Sequence, residues 1–152
     1  MKRAMVAVAL VTSMLAVPAW SGDASPDAMV KYRKAAMSAT SKHMKSLKML
    51  ASGEIVRPGD VAAHADALAA GARDMVSLYP SGTGVDSGLK TDAKAEIWSK
   101  SADFAAEAKK FAEATTKLAE LAKGGDMKAL AAQLETVGDS CKSCHDGFKA
   151  KH

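Results

Sequence analysis

The chain has 152 residues, a formal net charge of +4 and 5% aromatic residues. This length is enough for one domain that buries most of its surface in a single core. No stretch combines clustered Lys and Arg with aromatic side chains, so the composition argues against nucleic acid as a partner.

The N-terminus predicts an export signal. A short basic start precedes an uncharged apolar run over residues 4–17, and small side chains follow at Ala19 and Ser21, as at a signal peptidase site. The run is shorter than the roughly 20 apolar residues that a membrane-spanning helix needs. We therefore predict a cleaved signal peptide over residues 1–21, a single domain over residues 22–152, and no membrane span after processing. The signal carries two basic residues and no acidic one, so the net charge of the mature chain is +2.

The mature composition is rich in Ala, Lys, Met, Leu and Glu, which favours helices. Apolar residues recur at spacings of three and four in four segments. The first predicted helix begins at Ser25-Pro26-Asp27, where serine is a good N-cap and proline suits the first turn, and it ends at Ser52-Gly53. Its predicted inner face consists of Val30, Arg33, Met37, Thr40, Met44, Leu47 and Ala51.

The second predicted helix follows Pro58-Gly59-Asp60 and continues to Pro80, after which comes a loop with three glycines. Its inner face consists of Val61, Ala65, Leu68, Ala72, Met75 and Tyr79. The third helix ends at Gly124-Gly125, and its inner face consists of Ile97, Ser101, Phe104, Ala108, Phe111, Thr115, Leu118 and Ala122. The fourth begins at Asp126, with Met127, Leu130, Leu134, Val137, Cys141, Cys144 and Phe148 on its inner face. Four such helices with mostly short connections predict an all-α, antiparallel up-down four-helix bundle.

The last predicted helix contains the chain's only two cysteines, in the sequence "CKSCH". At about 100° per residue, Cys141, Cys144 and His145 fall within an arc of about 100° and face the bundle interior. A zinc site would need further ligands, but His43 and His64 are isolated in the sequence, as is His152, and none shows ligand spacing.

Two other interpretations of the cysteine pair are also unfavourable. A thioredoxin-type pair belongs at the start of a helix in a βαβ unit, whereas this pair lies near the end of a helix in an all-helical chain. A disulfide between residues one turn apart would close a very small loop and contribute little stability. The pattern CxxCH as a c-type haem attachment site meets neither objection. The cysteine thiols would bind the haem vinyl groups and His145 the iron, and the predicted export agrees with covalent haem attachment outside the cytoplasm.

Two residues of the first helix fit a haem against that helix. Arg33 is an unusual inner-face residue that could pair a haem propionate, and Met37 follows it one turn later on the same face, about 6 Å along the helix. Each also has an ordinary interpretation. An arginine can extend from a bundle end to solvent, and methionine commonly fills gaps in a core.

The sequence resembles the class II cytochromes c, which comprise the cytochromes c′ and their methionine-ligated, low-spin relatives. The resemblance covers essentially the whole mature chain and is carried by "VKYRKAAM", "SKHM", "YPSGTG", "EIW" and the C-terminal "SCKSCHDGFK". A CxxCH motif in the last helix of a four-helix bundle is more specific than the motif alone.

The resemblance implies one covalently bound haem c, with thioether bonds to Cys141 and Cys144 and His145 as the proximal iron ligand. It implies that Arg33 pairs a haem propionate. Met37 matches the distal position, which is an iron-bound methionine in the low-spin branch and usually a bulky apolar residue in the cytochromes c′. Lys149 stands where many members have arginine, which keeps the positive charge but not the guanidinium.

Two functions follow from the two roles of Met37. If Met37 binds iron, the protein is a periplasmic electron carrier of a Gram-negative bacterium with unidentified redox partner proteins, and this is our first expectation. If Met37 only packs, the iron keeps an open position for nitric oxide or carbon monoxide. We expect no enzyme activity, because a peroxidase needs a distal acid or base and His43 lies about 120° around the helix from Met37. A homodimer, frequent in the family, is compatible with apolar Leu50 and Val76, which we expect to be exposed.

Overall fold

The computed structural model describes residues 24–151, so the predicted signal peptide and His152 lie outside the described residues. The helices are α1 (Pro26–Ala51), α2 (Pro58–Ala72), α3 (Glu96–Ser99), α4 (Ser101–Gly124) and α5 (Met127–Phe148), and two short 3-10 turns span Met75–Leu78 and Val85–Ser87.

Helix α1 begins as its sequence predicts. The Oγ of Ser25 accepts a hydrogen bond of 3.2 Å from the backbone N–H of Ala28, and a proline occupies the first turn. The buried residues of α1 include Val30 and Arg33 from the predicted inner face, while Met37 is partly buried. The inner face of this helix therefore follows the apolar pattern.

Helix α2 ends earlier than the sequence pattern predicts. It stops at Ala72, and a separate 3-10 turn carries Met75 back into the core. Both the backbone N–H and the Oγ of Ser77 donate to the carbonyl of Asp74, at 3.0 and 2.7 Å, which holds this tighter turn. Pro80 disfavours the α conformation for Tyr79, so the helix cannot continue to the proline.

The predicted third helix is divided into two. Lys100 has φ −122° and ψ 47°, outside the helical region, and separates α3 from α4. The break turns Ser101 outward, so its predicted place on the inner face is wrong. It also lets Ile97 of α3 pack in one small cluster with Phe104 of α4 and Phe148 of α5.

Helix α5 is capped at its start and held at its end. The carboxylate of Asp126 accepts hydrogen bonds from the backbone N–H groups of the first turn, at 3.1 and 2.9 Å. At the other end an isolated antiparallel bridge pairs Ala93 with Lys149, and the Nζ of Lys94 donates to the carbonyl of Gly147 at 2.8 Å. The loop before α3 therefore fixes the C-terminal end of the helix that carries the cysteines.

The four long helices form an antiparallel four-helix bundle, which confirms the predicted fold class. Helix α1 contacts α2 and α5, and α4 contacts the same two helices from the opposite corner. The main core joins buried apolar residues of all four, among them Leu47, Leu68, Leu118 and Val137.

Within residues 24–151, no helix has the length and hydropathy needed to cross a bilayer.

The expected exposure of two apolar residues is half right. Val76 is 48% exposed, but Leu50 is 8% exposed and belongs to the main core. Leu50 follows Leu47 by three residues on the helix, so both face inward. The homodimer therefore stays a prediction. Of the two residues, only Val76 is exposed enough to contact a second chain.

Gly84 lies where a side chain would collide with Trp98 of α3. A Cβ at this position would be 2.6 Å from Cζ3 of Trp98 and 2.7 Å from Oδ1 of Asp86. We expect Gly84→Ala to lower the free energy of unfolding of the holoprotein by about 1–3 kcal/mol, because Trp98 must move. Gly124→Ala is the matched control, since nothing lies within 4 Å of its Cβ. Equal denaturation midpoints of the two variants would contradict the steric argument.

Candidate functional site

The C-terminal half of α5 carries the three residues of the CxxCH motif on one side of the helix. Cys141 and Cys144 are free thiols and partly buried, and both pack against core clusters. His145 is exposed and lines the same cavities as Cys144. The three predicted attachment and ligand residues are thus brought together, but only the two cysteines face the bundle interior as predicted, since His145 is exposed.

The electrostatics of the thiols do not suit a redox-active dithiol. Burial, followed by the charges of Glu107 and Cys141, raises the pKa of Cys144 to about 11. Burial also raises the pKa of Cys141. Catalytic CxxC pairs have lowered pKa values because the thiolate is the nucleophile. At neutral pH these thiols are protonated, which argues against a catalytic dithiol.

Two cavities meet beside the motif, between α1, α4 and α5. Their volumes are about 290 and 380 Å³, and six residues line both. Together they fall within the size range of cofactor sites, roughly 300–1,000 Å³. The shared lining residues are Met37, Ser41, Tyr79, Phe104, Cys144 and His145.

An aromatic row forms one wall of this space. The ring centroids of Tyr79 and Phe104 are 4.9 Å apart, and those of Phe104 and Phe148 are 5.2 Å apart, both edge to face. The Nε1 of Trp98 donates to the carbonyl of Tyr79 at 3.0 Å, which fixes the first ring's backbone. The sequence pattern predicts these aromatics on the inner faces of the helices. It cannot distinguish a core position from a cavity wall, because both recur with the same helical spacing.

Met37 lies across the cavity from the α5 motif. It is partly buried, lines both cavities and packs against the main hydrophobic core.

His145 lines the cavities from α5. Desolvation and, after it, the positive charge of Lys149 lower the pKa of His145, while the negative charge of Asp146 opposes this shift. The neutral imidazole that results at pH 7 is the form that binds iron.

Arg33 is buried, being 3% exposed, and holds the loop between α2 and α3. Nη1 donates to the carbonyl of Leu78 at 3.2 Å and to Oγ1 of Thr83 at 3.0 Å. Nη2 donates to the carbonyl of Thr83 at 2.8 Å and to Oγ1 of Thr91 at 2.7 Å. The guanidinium carbon also lies 4.5 Å from the ring centroid of Tyr79.

These bonds restrict the predicted contact between Arg33 and a haem propionate. A guanidinium has five N–H groups, and the four on the two Nη nitrogens already have acceptors in the loop. A propionate could take only the Nε–H without displacing the loop. Arg33 does line the second cavity, so the propionate contact stays a prediction limited to that nitrogen.

Two lysines add positive charge at the same end of the second cavity. Lys149 lines it, and its Nζ lies 3.8 Å from a carboxylate oxygen of Asp92, while its role toward the haem stays a prediction. Lys34 also lines it, and its Nζ donates to the carbonyl of Lys90 at 3.3 Å. Together with Arg33, they give this end a basic rim that suits carboxylate groups.

Glu107 is a cavity residue that the sequence did not indicate. Its Oε1 accepts a hydrogen bond of 2.6 Å from Lys110, while its Oε2 is buried. Interactions with Lys110 and then with the Ser143 side chain lower the pKa of Glu107, so it carries a negative charge at pH 7. Its only sequence signal was a position next to Ala108, on the edge of the inner face.

The residues around the cavity fit a c-type haem. Two thiols and an imidazole come from one helix, the walls are apolar and aromatic, and three cations line the second cavity. The thiols and the imidazole suit covalent attachment and iron binding, the apolar walls suit the porphyrin faces, and the cations suit the propionates.

Comparison with known proteins agrees with this fit. A family model described as Cytochrome C' matches residues 28–149. The chain is 40% identical to the cytochrome c′ of Pararhodospirillum photometricum over 127 residues, which cover 83% of this chain and 99% of that protein. It is 38% identical to the cytochrome c′ of Rhodospirillum rubrum over 151 residues, which cover 99% of each chain.

A solved structure has the same fold as this chain. The chain superposes with a TM-score of 0.76 on a nitric oxide complex of a mutant cytochrome c prime from Alcaligenes xylosoxidans. The two sequences are 29% identical, and the match covers 84% of this chain and 98% of that one.

Proposed function

We propose that this chain, a member of the cytochrome c′ family and a haem protein with covalently bound haem c, binds nitric oxide or carbon monoxide at an open distal position of the haem. The observation that carries the proposal is the similarity to a solved cytochrome c prime whose complex contains nitric oxide. The family match favours this function over the electron carrier that we expected first.

The proposed roles of the residues follow from their places around the cavity. Cys141 and Cys144 would hold the haem through thioether bonds, and His145 would offer its imidazole nitrogen to the iron. Ferrous haem would supply an open position that binds small diatomic gases. Met37 lines both cavities from α1 and would exclude water and limit the size of the ligand, while Phe104, which packs with Phe148 and Cys144, would form an apolar wall.

Met37 is proposed to cover the distal side by packing rather than to bind iron. Its contact with the main core gives it a packing role that does not require a metal. Methionine has three rotatable bonds and adapts to irregular gaps, so it can yield to a diatomic ligand at low cost. An iron-bound methionine would close the position and favour electron transfer instead.

The proposed location is the periplasm, reached through the predicted signal peptide at residues 1–21, which lies outside the described residues. No enzymatic role is proposed, and a redox partner is needed only if electron transfer accompanies gas binding.

Substitution of Met37 tests the proposed function. We expect ferrous wild-type holoprotein to bind carbon monoxide, and Met37→Ala to raise the association rate about tenfold, equivalent to about 1.4 kcal/mol of the barrier, because the apolar cover is removed. Stopped-flow absorption over a range of carbon monoxide concentrations gives the rates. Met49→Ala is the control, since Met49 is also partly buried on α1 but does not line the two cavities. A wild-type protein that binds no carbon monoxide, and gains binding only in Met37→Ala, would contradict the proposal.

A further inference from the structure

Two histidines that are isolated in the sequence meet between α1 and α2. The Nδ1 atoms of His43 and His64 are 2.9 Å apart, and their ring centroids are 5.1 Å apart with the ring planes at 55°. The sequence interpretation of these two histidines as isolated is therefore wrong. They are 21 residues apart, and only the antiparallel packing of the two helices brings the rings together.

The pair is separate from the haem cavity. His43 follows Met37 by six residues, which places it about 9 Å further along α1 and about 120° around it. Neither histidine lines the two cavities beside the CxxCH motif. The pair therefore has no role in the proposed gas-binding site.

The contact requires a particular protonation state. A hydrogen bond between two imidazole nitrogens needs one donor and one acceptor, so at least one ring is neutral. A neutral imidazole nitrogen is a good ligand for zinc, nickel and copper.

The spacing of the two nitrogens also suits a shared metal ion. With metal–nitrogen bonds of about 2.0–2.1 Å, two ligands of one tetrahedral ion are separated by about 3.3–3.4 Å. The observed separation of 2.9 Å is about 0.4–0.5 Å shorter, so the two rings need to move apart only slightly. A metal ion could replace the shared proton after small rotations of the two rings, while the helices stay in place.

We propose that His43 and His64 form a binding site for a divalent transition-metal ion of the zinc class, bridging α1 and α2. Both side chains are partly exposed, so an ion can reach them from solvent. Asp60 precedes His64 by one turn on α2, but Arg57 already binds its carboxylate.

The site supplies two protein ligands, and water completes the coordination. Among residues 24–151, no group of three or more His, Cys, Asp or Glu side chains is arranged to hold a metal. The ion would link two helices that are otherwise joined by packing, and it would stabilise the folded state by mass action.

Titration of the haem-loaded protein with zinc chloride tests this site. Calorimetry in a buffer that does not bind metals should show one zinc ion per chain, and zinc should raise the Tm of the wild-type protein. His43→Gln and His64→Gln should each lower the affinity about tenfold or more, because removing a ligand costs at least as much as removing its outer-shell partner. The same two variants should lose the zinc-dependent rise in Tm.

Two controls separate this site from other zinc ligands. His152→Gln removes a histidine near the chain end and should bind zinc as the wild type does. The haem absorption spectrum should not change during the titration, which places the ion away from the iron. Wild-type affinity in both His43→Gln and His64→Gln, the absence of one-to-one binding, or loss of binding in His152→Gln would each overturn the proposal.

Discussion

The double variant Cys141→Ser, Cys144→Ser should release its haem into acidified acetone, whereas the wild-type chain should retain it. A serine hydroxyl does not form the thioether bond that a cysteine thiol forms with a haem vinyl group, so the variant can hold haem only through His145 and packing. Acid protonates the histidine and unfolds the bundle, and both of these contacts are then lost. The expected change is from nearly all haem in the protein fraction to nearly none, measured from the absorption of the two phases.

Ser143→Ala is the matched control for the cysteine pair. Ser143 lies between the two cysteines on the exposed side of α5, so its substitution should leave the haem attached. Each single cysteine variant keeps one thioether and should also retain haem. If the double variant kept its haem after extraction, the assignment of the two thiols as attachment points would be wrong.

Replacing Arg33 by alanine should lower the free energy of unfolding by about 3 kcal/mol or more, because buried acceptors lose a charged donor. Arg33 is 3% exposed, and its two Nη nitrogens donate four hydrogen bonds to the loop between α2 and α3. The substitution leaves the carbonyls of Leu78 and Thr83 without this partner and removes the cation from the ring of Tyr79. Denaturant unfolding of the holoprotein, followed by helical circular dichroism, measures the change.

Two further variants show whether the guanidinium itself is needed. Arg33→Lys keeps the charge but not the planar fork of donors, so we expect a loss of about 1–2 kcal/mol, between those of the wild type and the alanine variant. Arg73→Ala removes an exposed arginine at the end of α2 and should change the stability by no more than about 0.5 kcal/mol. A loss below about 1 kcal/mol for Arg33→Ala would show that these bonds contribute little.

The helices and their inner faces could be predicted because they depend on local patterns. The cap at Asp126, the start of α1 after Ser25 and the buried leucines all follow from spacing and capping preferences. The breaks were harder to predict. The interruption at Lys100 has no glycine or proline beside it, and Gly71 at the end of α2 precedes a residue that is still helical. Both depend on how the following loop packs, and local periodicity does not contain that information.

The candidate site shows the same division. The CxxCH motif could be identified from sequence because its three residues are neighbours on one helix. The bonds of Arg33 to Thr83 and Thr91 could not, since they connect residues 50 and 58 positions apart. The contact between His43 and His64 depends on the register of two helices, which the apolar pattern does not specify.

The absorption spectrum of the purified holoprotein, oxidised and then reduced without added ligand, tests the open distal position most directly. We expect high-spin spectra in both oxidation states, because in the proposed site His145 is the one protein ligand of the iron and Met37 only packs nearby. Low-spin spectra in both states, with an absorption band from sulfur–iron ligation that disappears in Met37→Ala, would contradict it and restore the electron carrier as the better function.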